Sequence, residues 1–469
     1  MRIRPIAAAL SVAGLLTACV TYEPRPIDLT SILANLEGVV VTEGATDPSV
    51  VPTSSVAGGI NPEEMPRLTA AEAAGFAVVH HPELAARRAE VGVARAELIE
   101  AGLLDDPVAS FDGMDAIAAA AVSGEAGTAN FISGIGISWT LPRPGEIGAK
   151  ENAARARIDE KRAELCRAEW RLLRDVFGAH TRLAAAEARL ELNRRLRDIV
   201  RRTAEQIAAA RGAGGATVLQ ENLAYLEAAR LDQDGVRLDG DRRAAILAVN
   251  QLMGAPPGAK WTLEVDPTLW TATTVAEPSV LVQKALSSRP DLIGLMAAYR
   301  RAEADVRLEV SRQFPRIDLG TGIAITLPLA TGFNGPGIRT AEARRTKLAC
   351  EVEAAVFEVR REIHAACLNY DRVQAELDVL EKAVRPKIEQ NLGLLQEALR
   401  LGGVTIAEVI AAQQQIIATE ERSLDLKVQR AQAKIELDSI TGRGPIDFRS
   451  ADAADAPSKE PGIDPEKER

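Results

Sequence analysis

A mainly α chain, built as a tandem duplication of long antiparallel helices with a short β region, is the fold class this sequence predicts, and three observations predict it. The 469 residues are 46% hydrophobic yet hold only 4 Trp, 4 Tyr and 8 Phe, so the apolar content is aliphatic; Ala and Leu mixed with 26% charged residues favour long helices. Segments of the first half recur in order in the second. From Leu348 to Leu399 apolar residues recur every three or four positions, at a mean of about 3.64, which implies a nearly straight helix. The same composition excludes other classes. So few aromatics cannot supply the girdles of a full-size transmembrane β-barrel or the stacking platforms of a single-strand nucleic-acid binder. A formal net charge of -10 disfavours nucleic acid and anionic membrane surfaces as partners.

In chain order, Arg2 and Arg4 precede an apolar stretch from Pro5 to Leu16, too short to span a bilayer, and Leu16-Thr17-Ala18-Cys19 closes it. Residues 1–18 read as a signal peptide. The small residues before Cys19 resemble the lipobox of bacterial lipoproteins, which implies lipidation at Cys19. Residues 19–66 lack periodicity and read as a lipidated arm, a tether behind the anchor. Order is expected from Thr69, which with Glu72 forms a capping box, through a helical pattern to about Leu104 interrupted near Pro82. Residues 443–469 lack a core-forming pattern and read as a disordered tail.

The duplication places a first repeat at 67–254, a linker at 255–277 and a second repeat at 278–442. His81-Pro82-Glu83-Leu84 returns as Arg289-Pro290-Asp291-Leu292, and Gly136-Ile137-Ser138-Trp139-Thr140-Leu141-Pro142 as Gly322-Ile323-Ala324-Ile325-Thr326-Leu327-Pro328. Gly215-Ala216-Thr217-Val218 answers Gly403-Val404-Thr405-Ile406, and Gly254 answers Gly442. Each repeat then reads as a helix, a β segment, a very long helix, a Gly-rich turn and a second long helix. The helix from about Ile147 to Arg211 would be on the order of 95 Å long. Pro386 should kink its counterpart. A stripe that long needs partners, and an oligomer closing its helices into a cylinder supplies them.

In the β segments, Ile317, Leu319, Thr321, Ile323, Ile325 and Leu327 fit one amphipathic strand, and Ile135, Ile137, Trp139 and Leu141 another. Only 12 residues separate Pro315 from Pro328, too few for two membrane crossings of about 9–11 residues each. The expectation is a reduced β region at the distal end.

Of the side chains that carry chemistry, Cys166, Cys350 and Cys367 are expected as small buried hydrophobes, with a Cys166–Cys350 bridge as the alternative. His180 and His364 each follow a Cys by 14 residues, about 21 Å of helix, so duplicated packing positions are favoured over a metal site. Asp232-Gln233-Asp234-Gly235 with Asp239 falls on a predicted helix without the full calcium-loop spacing, and reads as a solvated acidic face. The chain carries no P-loop, nucleophile elbow, zincin motif or Cys-x-x-Cys, so no catalytic residue, cofactor or metal is expected.

Leu68-Thr69-Ala70-Ala71-Glu72-Ala73, the His81–Leu84 and Arg289–Leu292 motifs, and the stretch from Pro386 to Gln415 with Arg400-Leu401-Gly402-Gly403-Val404-Thr405 resemble the TolC-type outer-membrane efflux protein family over Leu68 to Gly442. The resemblance implies a homotrimer whose helices form an α-barrel across the periplasm, the exit duct of a tripartite system with a periplasmic adaptor and an inner-membrane transporter. It implies an outer-membrane location, here lipid-anchored. It makes the two Gly turns, with Gly212, Gly214, Gly215, Thr217 and with Gly402, Gly403, Thr405, the tips that dock the adaptor. Near them Glu221, Tyr225, Glu408 and Gln413, with Gln414 beside it, are candidates for the tunnel constriction, where acidic rings would favour cations; an ordinary outward-facing polar role is the alternative. Leu399 stands where family members often show Tyr. The competing reading is a structural or binding lipoprotein that keeps this fold without conducting.

Overall fold

The computed structural model describes residues 27–38, 66–111, 135–212, 214–320, 323–388, 390–391, 394 and 406–442. Asp28 opens the first helix, α1 (Leu29–Glu37), by accepting from the backbone N–H groups of Thr30 and Ser31. The arm, expected to lack periodicity, therefore carries a short helix: Leu29, Ile32, Leu33 and Leu36 fall at helical spacing behind that cap.

Strand β1 (Arg67–Leu68) leads to Thr69, where the capping box forms: the Thr69 N–H donates to Glu72 Oε2 at 2.9 Å and the Glu72 N–H to Thr69 Oγ1 at 3.2 Å. α2 (Ala70–His80) stops at His81, whose extended backbone precedes Pro82, and α3 (Pro82–Ala101) starts with that proline in its first turn. β2 (Val108–Phe111) and β3 (Ile135–Leu141) follow, then α4 (Glu146–Gly212), whose 67 residues extend about 100 Å. α5 (Val218–Met253) runs back antiparallel. The second half repeats the plan after β4 (Thr262–Leu263) and a 3-10 turn (Pro267–Trp270). α6 (Pro278–Ser288) breaks at Arg289 before Pro290 just as α2 breaks at His81, and α7 (Pro290–Ser311) continues. β5 (Arg316–Leu319), β6 (Ile323–Thr326), α8 (Gly335–Val379) and α9 (Ile406–Ile440) complete it.

Helix α8 passes into a π turn over Leu380–Val384, one turn before Pro386. Proline lacks an N–H and crowds the carbonyl of the preceding turn, so the predicted disruption takes the form of a widened turn.

The stripe read from the sequence is the buried face of α8: Val359, Ile363, Ala366, Tyr370, Val373 and Leu377. Two apolar clusters occupy equivalent places in the repeats. Phe76, Leu84, Val176, Leu183, Val249 and Met253 meet where α2, α3, α4 and α5 converge; Leu281, Leu292, Val359, Ile363 and Leu437 meet where α6, α7, α8 and α9 do. Gly254 and Gly442 explain their own recurrence. Each ends its long helix in the left-handed conformation, at φ +70° and +69°, and each backbone lies against the break of the short helix pair. A Cβ on Gly254 would stand 3.0 Å from the His80 carbonyl oxygen, and one on Gly442 2.9 Å from the Ser288 carbonyl carbon.

Three expectations are corrected. Residues 316–326 form a hairpin rather than one strand: β5 and β6 are antiparallel, with Ile317 opposite Ile325 and Leu319 opposite Ile323. Directly opposed residues share a face and the turn has three residues, so the alternation runs unbroken through a reversal. Among the described cysteines Cys367 alone is buried; Cys166 and Cys350 are exposed, and all three are free thiols. His180 is buried, with Nε2 3.4 Å from the Leu68 carbonyl oxygen, whereas His364 is exposed, so the recurrence is not a shared packing position.

Candidate functional site

The first helix-to-helix turn is built by its glycines and its cap. Gly214 takes φ +81°, a backbone that L side chains rarely adopt, and the Gly215 N–H donates back to the Ala210 carbonyl at 2.8 Å, closing the end of α4. Thr217 then opens α5 with a second capping box: its N–H donates to Gln220 Oε1 at 2.9 Å and its Oγ1 accepts from the Gln220 N–H at 3.3 Å. Arg211 and Glu221 form an ion pair across the turn. Val218, Leu219, Leu223 and Leu226 are exposed beside it, so a rigid turn presents an apolar shoulder. Gly402, Gly403 and Thr405, like Leu399 and Cys19, lie outside the described residues.

The constriction candidates separate. Tyr225 is half exposed and Glu408 exposed. Glu221 is largely covered and engaged by Arg211. Gln413 donates to Thr203 Oγ1 on α4 at 2.7 Å, and Gln414 to Glu227 Oε2 on α5 at 3.2 Å, so adjacent glutamines fasten α9 to both arms of the first hairpin. Sequence reasoning named these residues, and Arg211 as the edge of the turn, but not Thr203 or Glu227, because contacts between helices from different repeats leave no local spacing. It also missed a shared cleft: Asp234 and Asp241 from α5 face Glu421 and Asp425 from α9, with Arg189 of α4 and Arg237 among them. Burial, with Asp234 adding to it, raises the pKa of Glu421. The Asp232–Asp239 acidic run is ion-paired: Arg201 holds Asp232 at 2.7 Å, Arg237 holds Asp234 at 3.2 Å, and Arg242 holds Asp239 at 3.2 Å.

The four long helices form a strip. α5 packs on α4, α4 on α9, and α9 on α8, leaving α5 and α8 as its flanks. Both flanks expose apolar residues at an 11-residue spacing: Tyr225, Val236 and Leu247 on α5, and Phe357, Leu368 and Val379 on α8. Eleven residues are three helical turns, so each set lines one face. At the other end of α4 the strands form a single four-stranded sheet, ordered β2-β3-β5-β6.

The family model described as outer membrane efflux protein matches residues 76–255. Over those residues, most of the first repeat, the chain is similar to this family. The pyoverdine export outer membrane protein OpmQ of Pseudomonas aeruginosa is 24% identical over 326 residues, 63% of this chain and 67% of that protein. The cobalt-zinc-cadmium resistance protein CzcC of Cupriavidus metallidurans is 25% identical over 322 residues, 64% of this chain and 75% of that protein. Among solved structures, CusC superposes with a TM-score of 0.66 at 17% identity, covering 80% of this chain and 92% of that one. The outer-membrane channel OprN superposes with a TM-score of 0.65 at 15% identity, covering 80% and 89%. The chain thus has the TolC-like α-barrel fold, and the proteins it is similar to are channels rather than enzymes. The family match ends at Ala255, where the first repeat meets the linker.

Proposed function

We propose that the chain is the outer-membrane exit duct of a tripartite efflux or secretion system, a passive periplasmic channel assembled as a homotrimer. The open strip carries this reading. The duplication equates α4 with α8 and α5 with α9, and α9 packs on α4 within the chain. The equivalent contact sets α5 of one copy against α8 of the next, and head-to-tail repetition closes a ring. The register follows from the same correspondence. Ile435 of α9 and Leu173 of α4 line one small cleft. The residue 188 before Ile435, the offset of the Gly254–Gly442 recurrence, is Leu247, and the residue 184 after Leu173, the offset of the Cys166–Cys350 and His180–His364 recurrences, is Phe357, both exposed and apolar. Leu247 therefore sits within a turn of the partner subunit's Phe357.

The turn bearing Gly212, Gly214, Gly215 and Thr217, with its counterpart at Gly402, Gly403 and Thr405, docks the periplasmic adaptor; the left-handed glycine, the small residues and the apolar shoulder suit contact with another helical hairpin. Glu221, Tyr225, Glu408 and Gln413 belong to the narrow end next to these tips. Gln413 and Gln414 hold α9 against the first hairpin there, so opening the mouth breaks their two hydrogen bonds. Lipidation of Cys19 anchors the arm in the outer membrane, supported by the Leu16–Cys19 segment. One relative is named for pyoverdine export and another for resistance to three metal ions, at nearly equal identity, so cargo choice rests with the pump.

Affinity purification of the tagged full chain from reversibly cross-linked cells tests the assignment. An adaptor and an inner-membrane transporter are expected in the eluate, depleted when Gly214 is changed to Val. A stable monomer without partners would support the non-conducting lipoprotein instead.

A further inference from the structure

The two repeats share an architecture but not a charge pattern where each short helix pair breaks. Burial fixes the correspondence. Leu172, Val176, Ala179 and Leu183 of α4 are buried where Val359, Ile363, Ala366 and Tyr370 of α8 are, an offset of 187 residues. Pro82 of α3 answers Pro290 of α7 at an offset of 208. This packing register differs by three residues from that of the cysteine and histidine recurrences, and it equates Phe357 with Trp170, which lines the same small cleft as Ile435. In the second repeat an internal ion pair closes the break: the buried Arg289 donates to Asp291 at 2.6 Å and to Glu362 at 2.7 Å. The equivalents in the first repeat are His81, Glu83 and Asp175, and they line an open cleft of about 630 Å³ between α3 and α4.

Four cations share that cleft, Arg87, Lys161, Arg167 and Arg171. Their counterparts are Leu295, Leu348, Ala354 and Glu358, so the same fold forms without any of them. Four cations against three carboxylates in the first cleft become one against four at the matching positions of the second. Lys161 is held by Glu164 at 2.8 Å and Arg87 by Glu90 at 3.5 Å. The other two have no carboxylate partner among the described residues. Arg167 Nη2 donates to the Asp291 carbonyl at 3.0 Å, and the guanidinium lies against Gly294, where a Cβ would collide with it. The group is thereby fixed in place, yet its Nε is buried without a hydrogen-bond partner. Arg171, one helical turn along α4, makes no hydrogen bond or ion pair among the described residues. His81 Nδ1 is likewise buried and unpartnered. Asp175 is occupied by Arg174 at 3.0 Å, from outside the cleft, which leaves Glu83 as its one unpaired carboxylate among the described residues. In a chain of net charge -10, such a local surplus of donors is not a product of composition.

Buried donors without acceptors are costly, and guanidinium forks match the oxygens of carboxylates and phosphates. We propose that the α3–α4 cleft binds a small multivalent oxyanion, a phosphate or a polycarboxylate, between Arg167, Arg171 and His81. The site belongs to the folded first repeat and does not depend on the duct reading.

Calorimetric titration of inorganic phosphate and, separately, of citrate into the full-length protein in detergent tests this. At least one of the two should bind saturably, once per chain, and the tighter of them names the head group the site takes. Arg171→Ala, at an exposed position outside the apolar core, should weaken that binding about ten-fold. Arg361→Ala removes an equally exposed arginine of the second repeat, one paired with Glu358, and should leave the binding unchanged. Absence of saturable binding by both anions would overturn the proposal. So would unchanged binding in Arg171→Ala, which would put the anion elsewhere, or an equal loss in Arg361→Ala, which would reduce the effect to surface charge. Adaptor co-purification reports on the duct reading separately, so either can fail alone.

Discussion

Gly254 and Gly442 carry the tightest residue-scale constraint. Alanine at either position places an L side chain in the left-handed region, at about 1–2 kcal/mol, and adds a clash with the backbone of the neighbouring helix break. Gly442→Ala is expected to lower the thermal midpoint more than Gly254→Ala because its contact is closer. Gly92→Ala, in the interior of α3 with nothing near its Cβ, should stabilise by about 0.5–1 kcal/mol. Circular dichroism melts of the three variants check the order. His180 gives a pH dependence. Burial lowers its pKa from the ordinary imidazole value, and the hydrogen bond to Leu68 only partly offsets this. Its contribution is fully present above a pH of about 6.5 and is lost as the pH falls toward the folded-state value. The melting midpoint should therefore drop between pH 7.5 and 5.5, and His180→Gln should flatten that slope; an unchanged slope would assign it to other groups, such as the half-buried His80 ring stacked on Phe76. At this scale the recurrences were legible in the sequence, but not that the Gly254 motif touches the His81-Pro82 motif. Two motifs about 170 residues apart meet only because α4 and α5 double back on one another.

The elements divide into those whose period reports their shape and those whose period does not. The helical stripe of α8 and the Pro-led starts of α3 and α7 follow from spacing and from the missing proline N–H. The β5–β6 reversal was hidden because an odd-length turn preserves the parity of the strand pattern. The cap of α5 is the element to probe next. Thr217→Ala removes the bond that Oγ1 accepts from the Gln220 N–H, while the backbone N–H of residue 217 can still donate to Gln220 Oε1; at a cost of about 1 kcal/mol it should speed amide exchange over residues 217–223 roughly five-fold with little change in the global melt. If the same variant weakens adaptor capture, the rigidity of the tip matters for docking; unchanged exchange would show that Arg211 and Glu221 alone hold it.

For the whole molecule, helix lengths and duplication set the scale of a tube about 100 Å long before any coordinate is known. Which helices form its seams was not legible, since that depends on lateral order: α5, α4, α9, α8. Once the order is known, the exposed 11-residue series on the two flanks have a use. The candidate tip was legible from its glycines, whereas the polar links that hold its neighbouring helices were not. The most direct test of a closed trimeric tube is disulfide trapping of Leu247→Cys with Phe357→Cys in one full-length chain, in native membranes, with Cys166, Cys350 and Cys367 replaced by Ala. Oxidation should give a covalent trimer on a non-reducing gel, with neither single variant linking; a chain that stays monomeric, or a Leu247→Cys variant that dimerises by itself, would contradict the seam and the duct built on it.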